Sequence, residues 1–122
     1  MIKLPTIKLG AAIGLASAFA CGPSTAADLV AGQAAFEKFA CASCHGADGK
    51  SSVLPSYPVL AGQHADYLRH ALRSYQRGAS GGGVNARSNA VMTALVPQLS
   101  DADIQNIAAW LSSLPSDLSV RR

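Results

Sequence analysis

Apolar residues recur at helical spacing in three stretches of the sequence, and the clearest stretch lies near the C-terminal end. Between Ser100 and Pro115 they fall on one helix face, at Ile104, Ile107, Leu111 and Leu114, with Trp110 beside them. Ser100, followed three residues later by Asp103, has the pattern of a capping pair at a helix N-terminus. Pro115 marks the helix end. We therefore predict a helix between Ser100 and Pro115.

Two further helices precede this one. Leu29–Phe39 places apolar residues on one face, at Val30, Phe36 and Phe39, with Gly32 one turn before Phe36. Gln63–Arg77 carries an apolar stripe at Leu68, Ala71, Leu72 and Tyr75. Gly78 then occupies the position expected for a C-terminal cap. A shorter helix, over about residues 89–96, precedes Pro97.

Two segments between these helices lack any helical pattern. Residues 46–58 are rich in glycine, serine and proline, and residues 79–89 contain three consecutive glycines. No stretch sustains an alternation of apolar and polar residues, so we predict no β-strands. The pattern indicates an all-α domain of about four short helices joined by long loops.

The first 27 residues have a different character from the rest. They contain two lysines and no acidic residue, and Leu9–Ala20 is an unbroken run of small and apolar residues. As a helix this run would rise only about 18 Å, whereas a bilayer core is about 30 Å thick. We therefore predict a signal peptide over 1–27, cleaved after Ala27, and a mature domain over 28–122. The alternatives are an uncleaved anchor and a lipid anchor at Cys21.

Charge narrows the range of functions further. The whole chain of 122 residues has a formal net charge of +3, with 10 basic and 7 acidic residues. Removal of the predicted signal peptide takes away two of the basic residues, which leaves a nearly neutral mature chain. Nucleic-acid binding needs a clustered basic surface, so we predict none. The length fits a single domain.

Cys41, Cys44 and His45 belong to the sequence CASCH, which matches the C-x-x-C-H pattern of c-type haem attachment. Two thiols at this spacing can add to the two vinyl groups of one haem. The adjacent imidazole then reaches the iron as an axial ligand. A short domain with long loops has a modest core, and a large buried macrocycle would complete it.

Other uses of the cysteine pair fit the sequence less well. A thioredoxin-like redox site would need a βαβ context, and a zinc site would need more ligands at suitable spacings. A plain disulfide, common in exported proteins, leaves the neighbouring His45 unexplained. We therefore predict one covalent haem c, with its iron bound by His45.

Met92 is the candidate for the second axial ligand, because haem iron in electron carriers is commonly held by His and Met. Met1 leaves with the predicted signal peptide, so Met92 is the only methionine of the mature chain. The alternative role for Met92 is ordinary core packing. His64 and His70 are the competing ligands, although a lone histidine on a helix more commonly faces solvent.

Several segments occur in the order and near the spacing of one known family. They are CASCHGADG at 41–49, PVLAGQ at 58–63, YL at 67–68 with Leu72, Tyr75 and Gly78, then Met92, LSDADI at 99–104 and WL at 110–111. On these residues the sequence resembles class I c-type cytochromes, and most of all the bacterial small-cytochrome group whose dihaem members contain two such domains. The resemblance extends over nearly all of 28–115. With one C-x-x-C-H motif, it implies a single-haem relative with the class I cytochrome c fold wrapped around the haem.

The resemblance also implies roles for residues near the haem. Pro58 would supply the carbonyl that accepts the Nδ1 proton of His45, and so would fix the imidazole tautomer. Leu60 and Leu68 would pack on the haem. Asn89 would help to orient the loop that carries the second ligand.

A helix crossing is implied in the same way. Gly32 and Phe36 would pack against Ile107 and Trp110, with the glycine allowing the close approach of the two helices. This contact would join the first and last helices of the domain.

Three arginines lie at helical spacing on the second predicted helix, at Arg69, Arg73 and Arg77. We interpret them as a solvated helix face. The alternative is a docking patch for an acidic redox partner, where charge would speed encounter.

These inferences together predict a periplasmic electron carrier with one covalently bound haem, whose iron cycles between Fe(II) and Fe(III) under His45 and Met92 ligation. Its partners would be redox proteins whose identity the sequence does not give, and it would not insert stably in a membrane after signal cleavage. One alternative is a haem subunit of a periplasmic oxidoreductase complex. Another is a five-coordinate gas-binding or enzymatic haem protein.

Overall fold

The computed structural model describes residues 26–118. Within that range it contains five α-helices, one short 3₁₀ helix and no strand. The α-helices are α1 (Leu29–Lys38), α2 (Ala42–His45), α3 (Ala65–Ala79), α4 (Ala90–Leu95) and α5 (Asp101–Ser113), and the 3₁₀ helix is Val96–Gln98. The all-α prediction is confirmed. The predicted signal peptide, including Cys21, lies outside the described residues except for its last two positions.

Helices α1 and α5 cross where the family resemblance implies. A Cβ placed on Gly32 would lie 2.2 Å from the carbonyl oxygen of Asn106, so only glycine permits this backbone approach. One turn later, the rings of Phe36 and Trp110 are tilted against each other with centroids 5.1 Å apart. The predicted contact between the first and last helices is therefore present.

The core lies between α1, α3 and α5. Its larger buried apolar side chains come from α1, α3, the 3₁₀ turn with the residue after it, and α5: Phe36, Leu68, Val96, Leu99, Ile104, Ile107, Trp110 and Leu111. Ile104, Ile107 and Leu111 belong to the stripe predicted from the sequence. Apolar burial of this kind is the main source of stability for so small a domain.

The capping pair of α5 is formed as predicted. The Ser100 hydroxyl accepts a hydrogen bond from the Asp103 backbone N–H at 3.1 Å, and the Asp103 carboxylate accepts one from the Ser100 N–H at 2.9 Å. Two N–H groups that the helix leaves without partners are thereby satisfied. The hydrogen bonds from Ser100 lower the pKa of Asp103.

Helix α3 is displaced from its predicted bounds, and Gly78 does not cap it. The helix runs two residues further, through Ala79, so Gly78 lies within its last turn. A Cβ on Gly78 would lie 1.9 Å from the carbonyl oxygen of Arg87. The glycine is therefore required by a chain crossing, not by the helix end, and a local pattern cannot distinguish these two needs.

The short helix near Met92 is also modified by its surroundings. It ends at Leu95 and continues as the 3₁₀ turn that contains Pro97. The Gln76 side-chain amide on α3 donates hydrogen bonds to the carbonyls of Val96 and Leu99, both at 3.0 Å. These bonds tie the turn to α3. None of the helices in residues 26–118 is long and apolar enough to cross a membrane.

Candidate haem site

A cavity of about 330 Å³ opens between α3, α4 and the CASCH segment, and this volume is typical of small-molecule sites. Most of its lining is apolar. The lining includes every residue that the sequence analysis places at the cofactor: Cys41, Cys44, His45, Pro58, Leu60, Leu68 and Met92. Residues up to 51 positions apart in the chain therefore meet around one space.

The two cysteines lie on a single helical turn. Ala40 adopts a left-handed backbone conformation, with φ 56°, in the turn between α1 and Cys41. The backbone N–H of His45 then bonds to the Cys41 carbonyl at 3.0 Å, so Cys41 and Cys44 become neighbours on one helix face. Neither is joined in a disulfide within the described residues. Burial raises the pKa of the Cys41 thiol.

His45 is buried, and its ring is hydrogen-bonded to the Pro58 carbonyl. Its side chain is part of a residue only 7% exposed, and Nδ1 lies 3.2 Å from the Pro58 carbonyl oxygen. With the proton on Nδ1, the ring donates to that carbonyl and leaves Nε2 with a free lone pair. The Tyr57 ring packs beside it, with centroids 6.1 Å apart.

The loop from 46 to 58 brings Pro58 to His45. Asp48 accepts hydrogen bonds from the backbone N–H groups of Lys50 and Ser51, at 2.8 and 2.7 Å, and from the Ser51 hydroxyl. These bonds lower the pKa of Asp48 to about 2. Gly49, with φ 64°, then places its carbonyl where the N–H of Leu60 bonds to it at 2.8 Å.

Met92 approaches the cavity on a capped helical turn. The Asn89 side-chain oxygen accepts hydrogen bonds from the backbone N–H groups of Val91 and Met92, at 3.0 and 3.1 Å. Asn89 is thus the N-cap of α4 and fixes the start of the turn that carries Met92. The Met92 side chain is partly buried and contacts the core.

The competing histidines lie elsewhere. His64 and His70 are both exposed, and neither belongs to the lining of the cavity. Asp66, which stands four residues before His70, pairs with Arg69 instead. Within residues 26–118 no cluster of three or more histidine, cysteine or acidic side chains is arranged to bind a metal ion. The cavity lining offers two thiols, one imidazole and one thioether among mostly apolar side chains, a set that fits a flat apolar cofactor such as haem.

The arginine stripe of α3 is engaged within the domain. Arg69 pairs with Asp66, and Arg73 lies 3.2 Å from Asp101. The Arg77 guanidinium donates to the Ser74 hydroxyl at 2.8 Å. Two of the three arginines are thus paired with carboxylates at the surface, while Arg77 has neutral partners.

Two polar features of the cavity were not found from the sequence. Arg87 lies in its lining between the rings of Tyr67 and Tyr75, although it sits in a loop without periodic pattern. Gln63 also reaches the lining. In the sequence, the only mark of Arg87 is that it is a cationic residue two positions before Asn89, the N-cap of α4.

Comparisons with known proteins identify the family. The family model for cytochrome c matches residues 29–115. Cytochrome c-554(548) of Halomonas halodenitrificans is 47% identical over 73 residues, which cover 60% of this chain and 82% of that protein. A thiosulfate dehydrogenase electron acceptor of Stutzerimonas stutzeri is 38% identical over 63% of this chain, but this match spans only 32% of that protein.

A solved structure gives the same result. The crystal structure of reduced cytochrome c4 from Pseudomonas stutzeri superimposes with a TM-score of 0.65 and 38% identity, over 74% of this chain and 47% of that one. The described helices therefore adopt the class I cytochrome c fold, and the chain is related to the small dihaem cytochromes. The chain belongs to the cytochrome c family, so it is an electron carrier with covalently bound haem c as its cofactor.

Proposed function

We propose that the chain is a periplasmic electron carrier with one haem, in which His45 and Met92 are the two axial ligands of the iron. The observation that carries the proposal is the shared cavity. His45 and Met92 both line it, together with Cys41 and Cys44, while His64 and His70 do not.

The cysteines and His45 support attachment on one side of this cavity. The thiols of Cys41 and Cys44 lie on one helical turn, the arrangement needed to form two thioether bonds to a single haem. The Pro58 carbonyl behind Nδ1 orients the imidazole and increases its basicity toward iron. When bound, the haem supplies a one-electron Fe(II)/Fe(III) couple, and no bond chemistry on a substrate is required of the protein.

The chemistry and position of Met92 support it as the second axial ligand, on the opposite side of the cavity from His45. A thioether is an uncharged ligand that raises the reduction potential of haem iron in His/Met cytochromes. The Asn89 cap fixes the turn that carries this side chain, which favours a defined ligand over a flexible core filler. With both axial positions taken by protein, small molecules such as carbon monoxide would be excluded from the iron.

Export is proposed from the sequence. The basic start and the apolar run Leu9–Ala20 fit a signal peptide cleaved after Ala27. Export also suits a protein with a C-x-x-C-H motif, because such proteins are assembled with their haem outside the cytoplasm.

A second candidate role concerns the electron donor. Two relatives are named as thiosulfate dehydrogenase electron acceptors, at 38% and 37% identity. We infer from them that a sulfur-compound oxidoreductase is a candidate electron donor. This chain would accept its electrons either as a free carrier or as a bound subunit. Co-purification of the holoprotein with an oxidoreductase at stoichiometric amounts would favour the subunit.

The optical spectrum of the haem-loaded protein tests the axial ligands. The wild-type protein is expected to be low-spin, to show the weak far-red sulfur-to-iron band when oxidised, and to keep its reduced spectrum under carbon monoxide. Met92→Ala should lose the band and bind carbon monoxide, because the sixth position is then open. His70→Ala is the matched control and should behave as the wild type. Carbon monoxide binding by the wild type would overturn the proposal in favour of the five-coordinate alternative.

A further inference from the structure

The short turn that follows Met92 forms part of the cavity wall. Pro97 has no backbone N–H with which to continue the helical ladder, and the chain closes here into the 3₁₀ helix Val96–Gln98. Val96 begins this turn and Leu99 follows it, and both side chains are buried and line the cavity. The position of the turn therefore shapes the wall on the Met92 side.

One side chain of α3 holds both ends of this turn. The Gln76 side-chain nitrogen lies 3.0 Å from the carbonyl oxygen of Val96 and 3.0 Å from that of Leu99. Both neighbours can only accept, so the amide nitrogen with its two N–H donors must face them. Gln76 is partly buried and is not among the described residues of the cavity lining, so it acts on the site through the backbone.

A short chain of hydrogen bonds leads from this amide to Met92. The Val96 carbonyl accepts from Gln76, and the Val96 N–H donates to the Met92 carbonyl. At the other end, the Met92 N–H donates to the Asn89 side chain at 3.1 Å. The backbone of Met92 is thus fixed on one side by the cap of its own helix and on the other by a residue of α3.

We propose that Gln76 is a positioning residue for the iron ligand: by holding the turn Val96–Gln98, it keeps the Met92 sulfur on the iron and limits how often that bond opens. The inference rests on the proposed function, in which Met92 is the second axial ligand. Loss of the two Gln76 hydrogen bonds would let the turn move away from α3 and take the Met92 carbonyl with it.

The expected effects follow from the chemistry of the thioether. Methionine ligation raises the reduction potential of haem iron, so a population from which Met92 has dissociated lowers the midpoint potential. Carbon monoxide can bind Fe(II) here only while the sixth position is open, so its binding rate measures how often the ligand leaves. One intramolecular hydrogen bond changes an equilibrium by up to about tenfold.

Stopped-flow binding of carbon monoxide to the Fe(II) haem-loaded chain tests this inference, at pH 7 and without denaturant. Gln76→Leu removes both donors without adding charge, and it should bind carbon monoxide about tenfold faster than the wild type, with a lower midpoint potential. Gln76→Glu keeps the shape of the side chain but has no donor when ionised, and it should change both quantities in the same direction. A wild-type binding rate in Gln76→Leu overturns the inference.

Gln98→Glu is the matched control. Gln98 is exposed on the same 3₁₀ turn, so this change adds the same charge nearby and leaves the two Gln76 hydrogen bonds in place. Its carbon monoxide binding rate should equal that of the wild type. Equal acceleration in Gln98→Glu and Gln76→Glu would attribute the effect to the added charge and would also overturn the inference.

A second measurement uses only the wild type. In the diamagnetic Fe(II) state, nuclear magnetic resonance should show that the side-chain amide protons of Gln76 exchange with solvent more slowly than those of Gln98, because both Gln76 protons are hydrogen-bonded inside the fold. Equal exchange overturns the inference, whether or not a Gln76 variant folds.

Failure of this inference is distinct from failure of the proposed function. A wild-type protein without the far-red band, or one that binds carbon monoxide freely, would show that Met92 is not the ligand, and both would fall together. A wild type that keeps the band, with a Gln76→Leu variant that binds carbon monoxide no faster, would overturn the role of Gln76 alone.

Discussion

The two sides of the cavity are built differently. On the His45 side, one turn separates α1 from the cysteines, and the following loop is closed by the Asp48 turn and the Gly49 carbonyl. On the Met92 side, the chain leaves α3 through glycines 81–83, where an added Cβ would meet no atom within 4 Å. Val84 beyond them is 86% exposed.

This difference indicates where the site opens first. Local opening is easiest where few packed contacts hold the backbone, and the segment before Met92 has few until Arg87. From there the anchors are the crossing at Gly78, the Asn89 cap and the bonds from Gln76. We therefore expect Met92, as the proposed second ligand, to dissociate from the iron before His45 does when the protein is mildly destabilised.

The largest effect is expected from breaking the main anchor of the Met92 side. Gly78→Ala sets a Cβ against the Arg87 carbonyl and must displace the loop, at a cost of about 3 kcal/mol in the free energy of unfolding. The far-red band should weaken at a lower urea concentration than that needed for global unfolding. The measurement is urea titration followed by the band and by far-UV circular dichroism.

Gly82→Ala is the control for this change. Its φ of 93° makes alanine strained, but the open surroundings let the loop relax, so we expect a loss of less than about 1 kcal/mol. Equal loss in the two variants would show that the crossing at Gly78 does not anchor the Met92 side.

A smaller effect should separate ligand binding from general stability. Asn89→Ala removes the cap of α4 and should cost about 1 kcal/mol, with faster carbon monoxide binding because Met92 dissociates more often. Ser100→Ala removes a cap of the same kind from α5 and should cost about the same. Carbon monoxide rates measured by stopped flow should rise in the first variant only. If they rise equally in both, the cap of α4 has no special role in holding Met92.

The smallest effect is expected in the pH dependence of stability, through Asp48 on the His45 side of the cavity. The pKa of Asp48 is about 2 in the folded chain, lowered chiefly by its bonds to Ser51, and the ordinary value is 3.8. Its contribution to stability is therefore complete above about pH 4 and is lost as the pH falls through about 2. Asp48→Asn should be less stable than the wild type at pH 6, and the difference should shrink at pH 2.5. A difference that stays constant, in urea midpoints at both pH values, would exclude this carboxylate as the source.

The sequence predicted the local elements well. Helix α1, the capping pair Ser100 and Asp103, and the apolar stripe of α5 depend on residues within a few positions of one another, so their pattern is visible in the chain. The one-turn helix α2 escaped prediction, because four residues are too short to show a period. Helix α3 ends at Ala79 instead of Arg77, and the Gly78 that resembles a cap in the sequence lies against the Arg87 carbonyl.

The residues of the candidate site also fall into those that local spacing predicts and those that only the fold brings together. Spacing alone pointed to Cys41, Cys44 and His45 as a haem motif, since the chemistry needs neighbours in the chain. The sequence also favoured Met92 over His64 and His70 as the second ligand, and the fold adds that Met92 lines the cavity whereas the two histidines do not. The axial role of Met92 itself remains a prediction for the spectrum to decide.

By itself the sequence determined the helical class, the haem motif and the capping pair of α5, because each follows from side chains close together along the chain. The tertiary structure alone decided that Gly78 serves a crossing and that Arg87 faces the cavity between two tyrosines. The physical reason is that both depend on backbone segments about ten residues or more apart meeting at van der Waals distance. No local propensity encodes which segments will meet, since that is settled by the packing of the whole core.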